Sequence, residues 1–287
     1  MTDKLIRGMA RDGNIRILMI SSKDLVQEAK DLHDTYPTVT AALGRTMNVS
    51  LMMAHMLKNE NEKLSVEIRG NNELKYLIVN ADNTGHVRAT LNNPHIFKVK
   101  DNGKLDVGGI IGEGTLKVTH SLDNKILYNS VVDLQSGEIG DDFAYYFAQS
   151  EQIPSAVSVG VLVGEDLNVI SSGGMIIQVL PSASEEDIVA IENIVSNLKP
   201  MSTYLTEMSV YELFNELFED GVILSTSDVA YHCGCNREQM HQVLVTLNTT
   251  DLNDLIENDH GATLKCHYCN QEYHFNEEEL KDIIKSR

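Results

Sequence analysis

Cys233-Gly234-Cys235 and Cys266-His267-Tyr268-Cys269 contain every cysteine of the chain, as two tight pairs about thirty residues apart. Zinc takes four thiolates at tetrahedral corners, and a C-x-C or C-x-x-C pair lets one short piece of backbone present two sulfurs to one ion. Gly234 has no Cβ, which removes the steric cost of the bend that C-x-C demands. Two such knuckles with no ligand left over predict a closed structural zinc site held by Cys233, Cys235, Cys266 and Cys269; a hydrolytic site would need an open position for water. The plain reading is a staple. The sharper one is that the thiolates also react, because neighbours held close can be oxidised in pairs, Cys233 with Cys235 and Cys266 with Cys269, ejecting the metal. Four cysteines allow three connectivities, and a bridge across a single residue would be strained and readily reduced, as a reversible switch requires.

The sequence around the knuckles reads as a small domain, residues 228–287. Asn236 is placed to cap a helix that turns Met240, Val243, Leu244 and Leu247 inward, and Asp251 to cap a shorter one carrying Leu252, Leu255 and Ile256. Leu264 to Phe275 reads as a hairpin whose turn is the second knuckle, and Asn276 with Glu279 opens a last helix bearing Leu280 and Ile283. Roughly sixty residues bury a marginal core. Structural zinc in small peptides contributes about 10–16 kcal/mol, more than the net stability of most domains. Removing the metal should melt this domain.

Upstream, residues 181–227 read as an acidic helical linker. Ser182 to Thr226 holds nine acidic residues against one base, Lys199. Ser184 precedes Ile188, Ile191, Ile194, Val195 and Leu198 at helical spacing before Pro200. Ser209 and Glu212 then form a capping-box pattern ahead of Leu213, Phe214, Leu217 and Phe218, with Gly221 where a helix would end. Such stripes must bury against something.

Residues 1–180 read as an α+β domain with a mixed or antiparallel sheet. Leu5 to Ile20 alternates around the turn signal Asp12-Gly13. Helices are expected over Asp24 to Asp34 and Thr38 to Leu57, the second rich in methionines that read as buried packing. Strand patterns then follow in runs, at Leu64 to Ile68, Leu74 to Val79, His86 to Leu91, Gly114 to Leu122, Leu127 to Leu134, Ala156 to Val163 and Met175 to Leu180, with one helix between Ile139 and Gln149. There is no regular βαβ alternation. Gly108-Gly109, Gly112, Gly114 and Gly173-Gly174 lack Rossmann or P-loop context and read as turns and bulges. His33, His55 and His120 have no partner at ligand spacing. No nucleophile elbow or triad pattern is present in the sequence, and no enzyme activity is expected.

A net charge of −19 argues against nucleic acid, whose phosphates need a basic field, and even residues 228–287 carry 11 Asp/Glu against 5 Lys/Arg. No uncharged run reads as a membrane span, because the longest, Leu167 to Ser184, is broken by serines, glycines, Gln178 and Pro181, and Met1 to Gly13 lacks an apolar signal core. A cytoplasmic protein that does not bind membranes is expected, with its thiols normally reduced.

Taken together, Cys-x-Cys, Cys-x-x-Cys, Arg237 after the first pair and Tyr273-x-Phe275 after the second resemble the heat-shock protein 33 family of redox-regulated chaperones. The resemblance covers nearly the whole chain. It includes Arg11-Asp12-Gly13, His33, Ala41-Ala42-Leu43-Gly44-Arg45, Ser136-Gly137-Glu138, Ser150-Glu151-Gln152-Ile153-Pro154-Ser155, Gly173-Gly174 and Gln178. It implies an ATP-independent holdase, inactive while reduced and zinc-loaded. In such proteins peroxide or hypochlorite at elevated temperature forms two disulfides, releases zinc and unfolds the C-terminal domain. The activated protein dimerises and binds unfolding proteins. Other readings of the cysteines alone are a constitutive zinc-stapled interaction or nucleic-acid module and a thiol–disulfide oxidoreductase.

Overall fold

The turn at Asp12-Gly13 forms as read: β1 (Lys4–Ala10) and β2 (Ile15–Ser21) pair antiparallel from Lys4↔Ser21 to Ala10↔Ile15, with Gly13 at φ +87°. The structure, a computed structural model, describes residues 3–59, 61–123 and 125–286. The chain divides into two compact units, Met1–His232 and Cys233–Arg287.

The first unit is organised around one helix. After α1 (Lys23–His33), Pro37 starts α2 (Pro37–Ala54) at a position where its missing N–H costs nothing. All of α2 except Pro37 and Arg45 is buried, which only a helix covered on every side can be. Met47, Met52 and Met53 are core residues, as the sequence suggests.

Two sheets provide the cover. One contains β3 (Glu62–Gly70), β4 (Tyr76–Asp82), β5 (His86–Leu91), β6 (Gly114–Leu122), β7 (Lys125–Asp133) and the short β11 (Ala230–Tyr231), in the order β11-β5-β4-β3-β6-β7. The other adds β8 (Ser155–Val163), β9 (Val169–Val179) and β10 (Val222–Asp228) to the first hairpin, in the order β10-β1-β2-β9-β8. Every pairing is antiparallel except β11 with β5, so the class is α+β as expected.

Three local readings change. Gly108 and Gly109 lie in a short helix, α3 (Val107–Ile111), capped by Asp106, rather than in a turn. Gly173 and Gly174 lie inside β9: a Cβ on Gly173 would come within 2.2 Å of the Ile20 carbonyl oxygen, so close approach and not a bulge requires the glycine. The helix expected from Ile139 is α4 (Gly140–Tyr146), continued by one π-helical turn, Phe147–Glu151.

The acidic stretch forms α5 (Glu185–Ser196), α6 (Met201–Glu207) and α7 (Val210–Leu217), with capping boxes at Ser184/Asp187 and Ser209/Glu212. Its apolar stripe has a definite partner. Ile191, Met201, Val210, Leu213, Phe214 and Phe218 bury with Ile6, Ile15, Ile17, Met19, Met175 and Ile177 of β1, β2 and β9. Residues 222–228 do not continue the helical pattern. They add as β10 to the edge of β1.

The second unit contains α8 (Arg237–Val245), α9 (Thr249–Glu257), the hairpin β12 (Gly261–Lys265) and β13 (Glu272–Asn276), and α10 (Glu277–Lys285). Asn236 and Asn276 cap α8 and α10 as expected. The cap of α9 is Asn248 instead of Asp251: Asn248 Oδ1 accepts from the Asp251 N–H at 2.8 Å, which puts Asp251 in the first turn, where its charge suits the helix dipole. The buried core is Leu244, Leu252, Ile256, Phe275, Leu280 and Ile283.

Candidate metal centre

Each knuckle is positioned by the element beside it. Cys235 immediately precedes Asn236, the N-cap of α8, so the helix start fixes the first pair. The second pair spans the β12–β13 turn, where Asn270 N–H donates to the Cys266 carbonyl at 2.8 Å and Cys266 N–H to the Gln271 carbonyl at 2.9 Å. Asn270 takes φ +60°, a left-handed conformation that asparagine tolerates.

The four Sγ atoms lie within 4.8 Å of one another, and among the described residues they form the one group of three or more Cys, His, Asp or Glu side chains arranged to hold a metal ion. Cys233 Sγ is 3.7 Å from Cys266 Sγ, and Cys235 Sγ is 3.3 Å from Cys269 Sγ. A tetrahedron with Zn–S bonds of about 2.3 Å has edges of about 3.8 Å, so the spacing fits a single zinc ion. Cys266 is buried and the other three half-buried. These two contacts join the two knuckles, and any disulfide, with its S–S bond of about 2.05 Å, requires the sulfurs to move.

The electrostatics of the cluster call for a cation. Burial pushes the Cys235 thiol up, but the Tyr273 hydroxyl, 3.2 Å from its sulfur, and the three neighbouring thiols outweigh burial and bring it below the ordinary thiol range. Cys269 is pushed up by burial, with the adjoining sulfurs adding to the effect. Tyr273 is pushed up to about 12, chiefly through its hydrogen bond with Cys235. Four thiolates in so small a volume need a divalent charge among them.

The structure also explains motif residues that have no metal role. Arg237 lies over the Phe275 ring at 4.3 Å and reaches Glu279 at 2.7 Å, tying α8, β13 and α10 together behind the knuckles. Arg45, the half-buried exception on α2, pairs with Glu138 at 2.8 Å, and Lys100 and the Gly108 N–H reach the same carboxylate. Burial pushes Glu138 up, but Lys100 and Arg45 outweigh it and hold the carboxyl below its usual range. Asp142, fully buried, accepts from the N–H groups of Gln135, Ser136, Gly137 and Ile139 and shapes the Ser136-Gly137-Glu138 turn.

The histidines have structural partners. His33 Nε2 is 3.1 Å from the Tyr231 hydroxyl, His55 Nδ1 is 3.0 Å from the Leu51 carbonyl, and His120 is 3.6 Å from Glu62. Sequence reasoning missed the role of Tyr273 at the sulfur and the anchoring of Tyr231. The Tyr231 hydroxyl bonds both the N–H and the carbonyl of Ala89, and only the tertiary approach of β11 to β5 reveals this.

A two-sheet α+β unit followed by a small unit gathering four cysteines is an architecture shared with a solved bacterial chaperonin. The solved 33 kDa chaperonin (heat shock protein 33 homolog) of Thermotoga maritima superposes with a TM-score of 0.93 at 32% identity, covering 100% of this chain and 99% of that one. The 33 kDa chaperonins of Bacillus velezensis and Bacillus subtilis are 40% and 39% identical, each alignment covering 98% of both chains. The profile of the Hsp33 protein family matches residues 3–276, and the chain belongs to that family. Membership supports a chaperone function. No described helix is long and apolar enough to cross a membrane.

Proposed function

We propose that this chain is a redox-regulated, ATP-independent holdase of the cytoplasm, without catalytic activity, that is silent while its thiols are reduced and metal-loaded. The observation that carries the reading is the cluster of four sulfurs within 4.8 Å in a unit whose core has six buried apolar residues. Cys233, Cys235, Cys266 and Cys269 would hold one zinc ion, which when bound supplies a closed, redox-inert junction between the knuckles.

Oxidation then removes the junction. Each disulfide forms as two thiolates give two electrons to one peroxide, which takes up two protons and ends as two waters; Cys233–Cys235 and Cys266–Cys269 together give up four electrons to two peroxides and use all four ligands. Ligand binding is folding free energy in so small a unit, so residues 233–287 unfold. Residues 181–227 act as the linker that loosens next. Its buried stripe and the face of β1, β2 and β9 beneath it become the apolar surface that catches unfolding proteins. The net charge of −19 keeps that state soluble and excludes nucleic acid, and the active form is a homodimer.

The test measures light scattering by a thermally unfolding protein, with zinc quantified by a colorimetric chelator, for reduced and peroxide-treated chain at heat-shock temperature. Suppression by the oxidised form alone, with one zinc released per chain, is the expected result. Equal suppression by both forms, or full zinc retention, rejects the switch. Sustained disulfide reduction with turnover would instead make the chain an oxidoreductase.

A further inference from the structure

We infer that the edge of β1 opposite β2 is a binding site for extended polypeptide, occupied in this structure by β10 as an internal substitute for a client strand. The inference rests on the chaperone reading above and adds to it a second mode of capture, main-chain pairing, beside the apolar face.

β10 pairs antiparallel with β1 at six positions, from Lys4↔Asp228 to Met9↔Val222, with an irregularity between Arg7 and Gly8. Its side chains take little part. Val222 and Leu224 are 59% and 57% exposed, and only Ile223 and Ser227 are even half-buried. Apart from the Lys4–Asp228 ion pair and Ile223, which packs on the core beneath α7, what holds β10 is its backbone, and backbone pairing is indifferent to sequence, as recognition of many unrelated clients requires. The acceptor strand is the opposite case. Leu5 of β1 belongs to the core around α2, and Ile6 and Ala10 to the core beneath α7, so β1 stays a strand when β10 leaves.

Position makes the edge conditional. β10 lies between α7, in the stretch that the proposed switch loosens, and β11, which Tyr231 fastens to β5 just ahead of the first knuckle, so its release starts from the α7 side. The outer edges of β7 and β8 end their sheets in the structure as it stands, whereas the β1 edge is closed and becomes available only on release of β10. The occupant is a client and not a second copy. An antiparallel β1–β1 pairing centred on Leu5 and Ile6 would set Lys4 of one copy against Arg7 of the other, and cationic edge residues are a recognised guard against self-pairing.

The experiment is amide hydrogen exchange on the full chain in three states: reduced and zinc-loaded, peroxide-oxidised, and oxidised with reduced, carboxymethylated lactalbumin as a permanently unfolded client. Light scattering is measured on the same samples with a thermally unfolding protein. The alternate amides of β1 that face β10 should be protected when reduced, lose protection at least tenfold on oxidation, and regain it with client while β10 stays unprotected. A synthetic peptide of residues 221–230 should compete with client, and the same peptide N-methylated along its β1-facing side should not. Three outcomes overturn the inference: β1 amides that stay protected on oxidation, β1 amides that stay open in a client complex which still suppresses scattering, or equal competition by both peptides. Failure of the oxidised chain to suppress scattering at all rejects the chaperone reading instead, so the two failures are distinguishable.

Discussion

Residues 1–232 enclose a helix with all but two of its positions buried between two sheets, whereas residues 233–287 gather six buried apolar side chains and four sulfurs. The first unit buries enough apolar surface to fold on hydrophobic grounds alone; the second, at a size where cores are marginal, has placed its sulfurs where a cation can supply what packing does not. The contrast teaches where a chemical signal can act. Thiolates are the side chains that peroxide can join into reversible disulfides, and all four cysteines lie in the unit with the least packing to spare.

The largest test of this contrast is to remove the ligands. Cys233→Ser, or chelation of the reduced protein, should abolish cooperative folding of residues 233–287, an effect on the scale of about 10–16 kcal/mol for structural zinc. Hydrogen exchange should show that unit open and residues 1–180 unchanged. Unaltered protection throughout would place its stability in packing after all.

Phe214→Ala comes next. Its ring is fully buried beneath α7, and its loss should cost about 3–5 kcal/mol. The first unit should stay folded with a lowered thermal midpoint, and zinc content should not change. A loss of zinc in this variant would break the division of labour between the units.

A pH effect confined to the first unit is smaller. Asp3 accepts from the backbone of Leu25 at 2.6 Å and Asp24 at 3.3 Å, yet burial, the dominant influence, raises its carboxyl to about 6. The folded pKa lies above the unfolded value of 3.8, so this group's contribution is full below about 3.8 and is lost as pH rises through about 6. Melts of wild type and Asp3→Asn between pH 4 and 7 should therefore diverge, the variant gaining about 1–2 kcal/mol relative to wild type after allowance for partial exposure. Parallel curves would remove Asp3 from the account.

The smallest expected effect is that of Arg237→Leu, which takes the guanidinium off Phe275 and should cost the second unit about 0.5–1 kcal/mol, read as a lower midpoint with metal bound. A much larger loss would mean that this unit relies on packing more than its core suggests.

Much of this was legible in the residues. The β1–β2 turn, the buried methionines of α2, the caps at Ser209, Asn236 and Asn276 and the two knuckles follow from local rules, because each depends on neighbours within a few positions. Residues 222–228 escaped such reading. Their side chains are mostly exposed, so no apolar alternation marks a strand whose only partner is an edge more than 200 positions away.

What the sequence by itself determined was the donor set: four soft ligands in two pairs, spaced so that local backbone alone delivers two sulfurs at a time. Which sulfurs meet across the knuckles, that Tyr273 hydrogen-bonds with Cys235, and that the acidic stripe buries on β1, β2 and β9 were decided only by the tertiary structure. Short-range chemistry is written in spacing, but contact between distant segments depends on the shape of the surface each one meets.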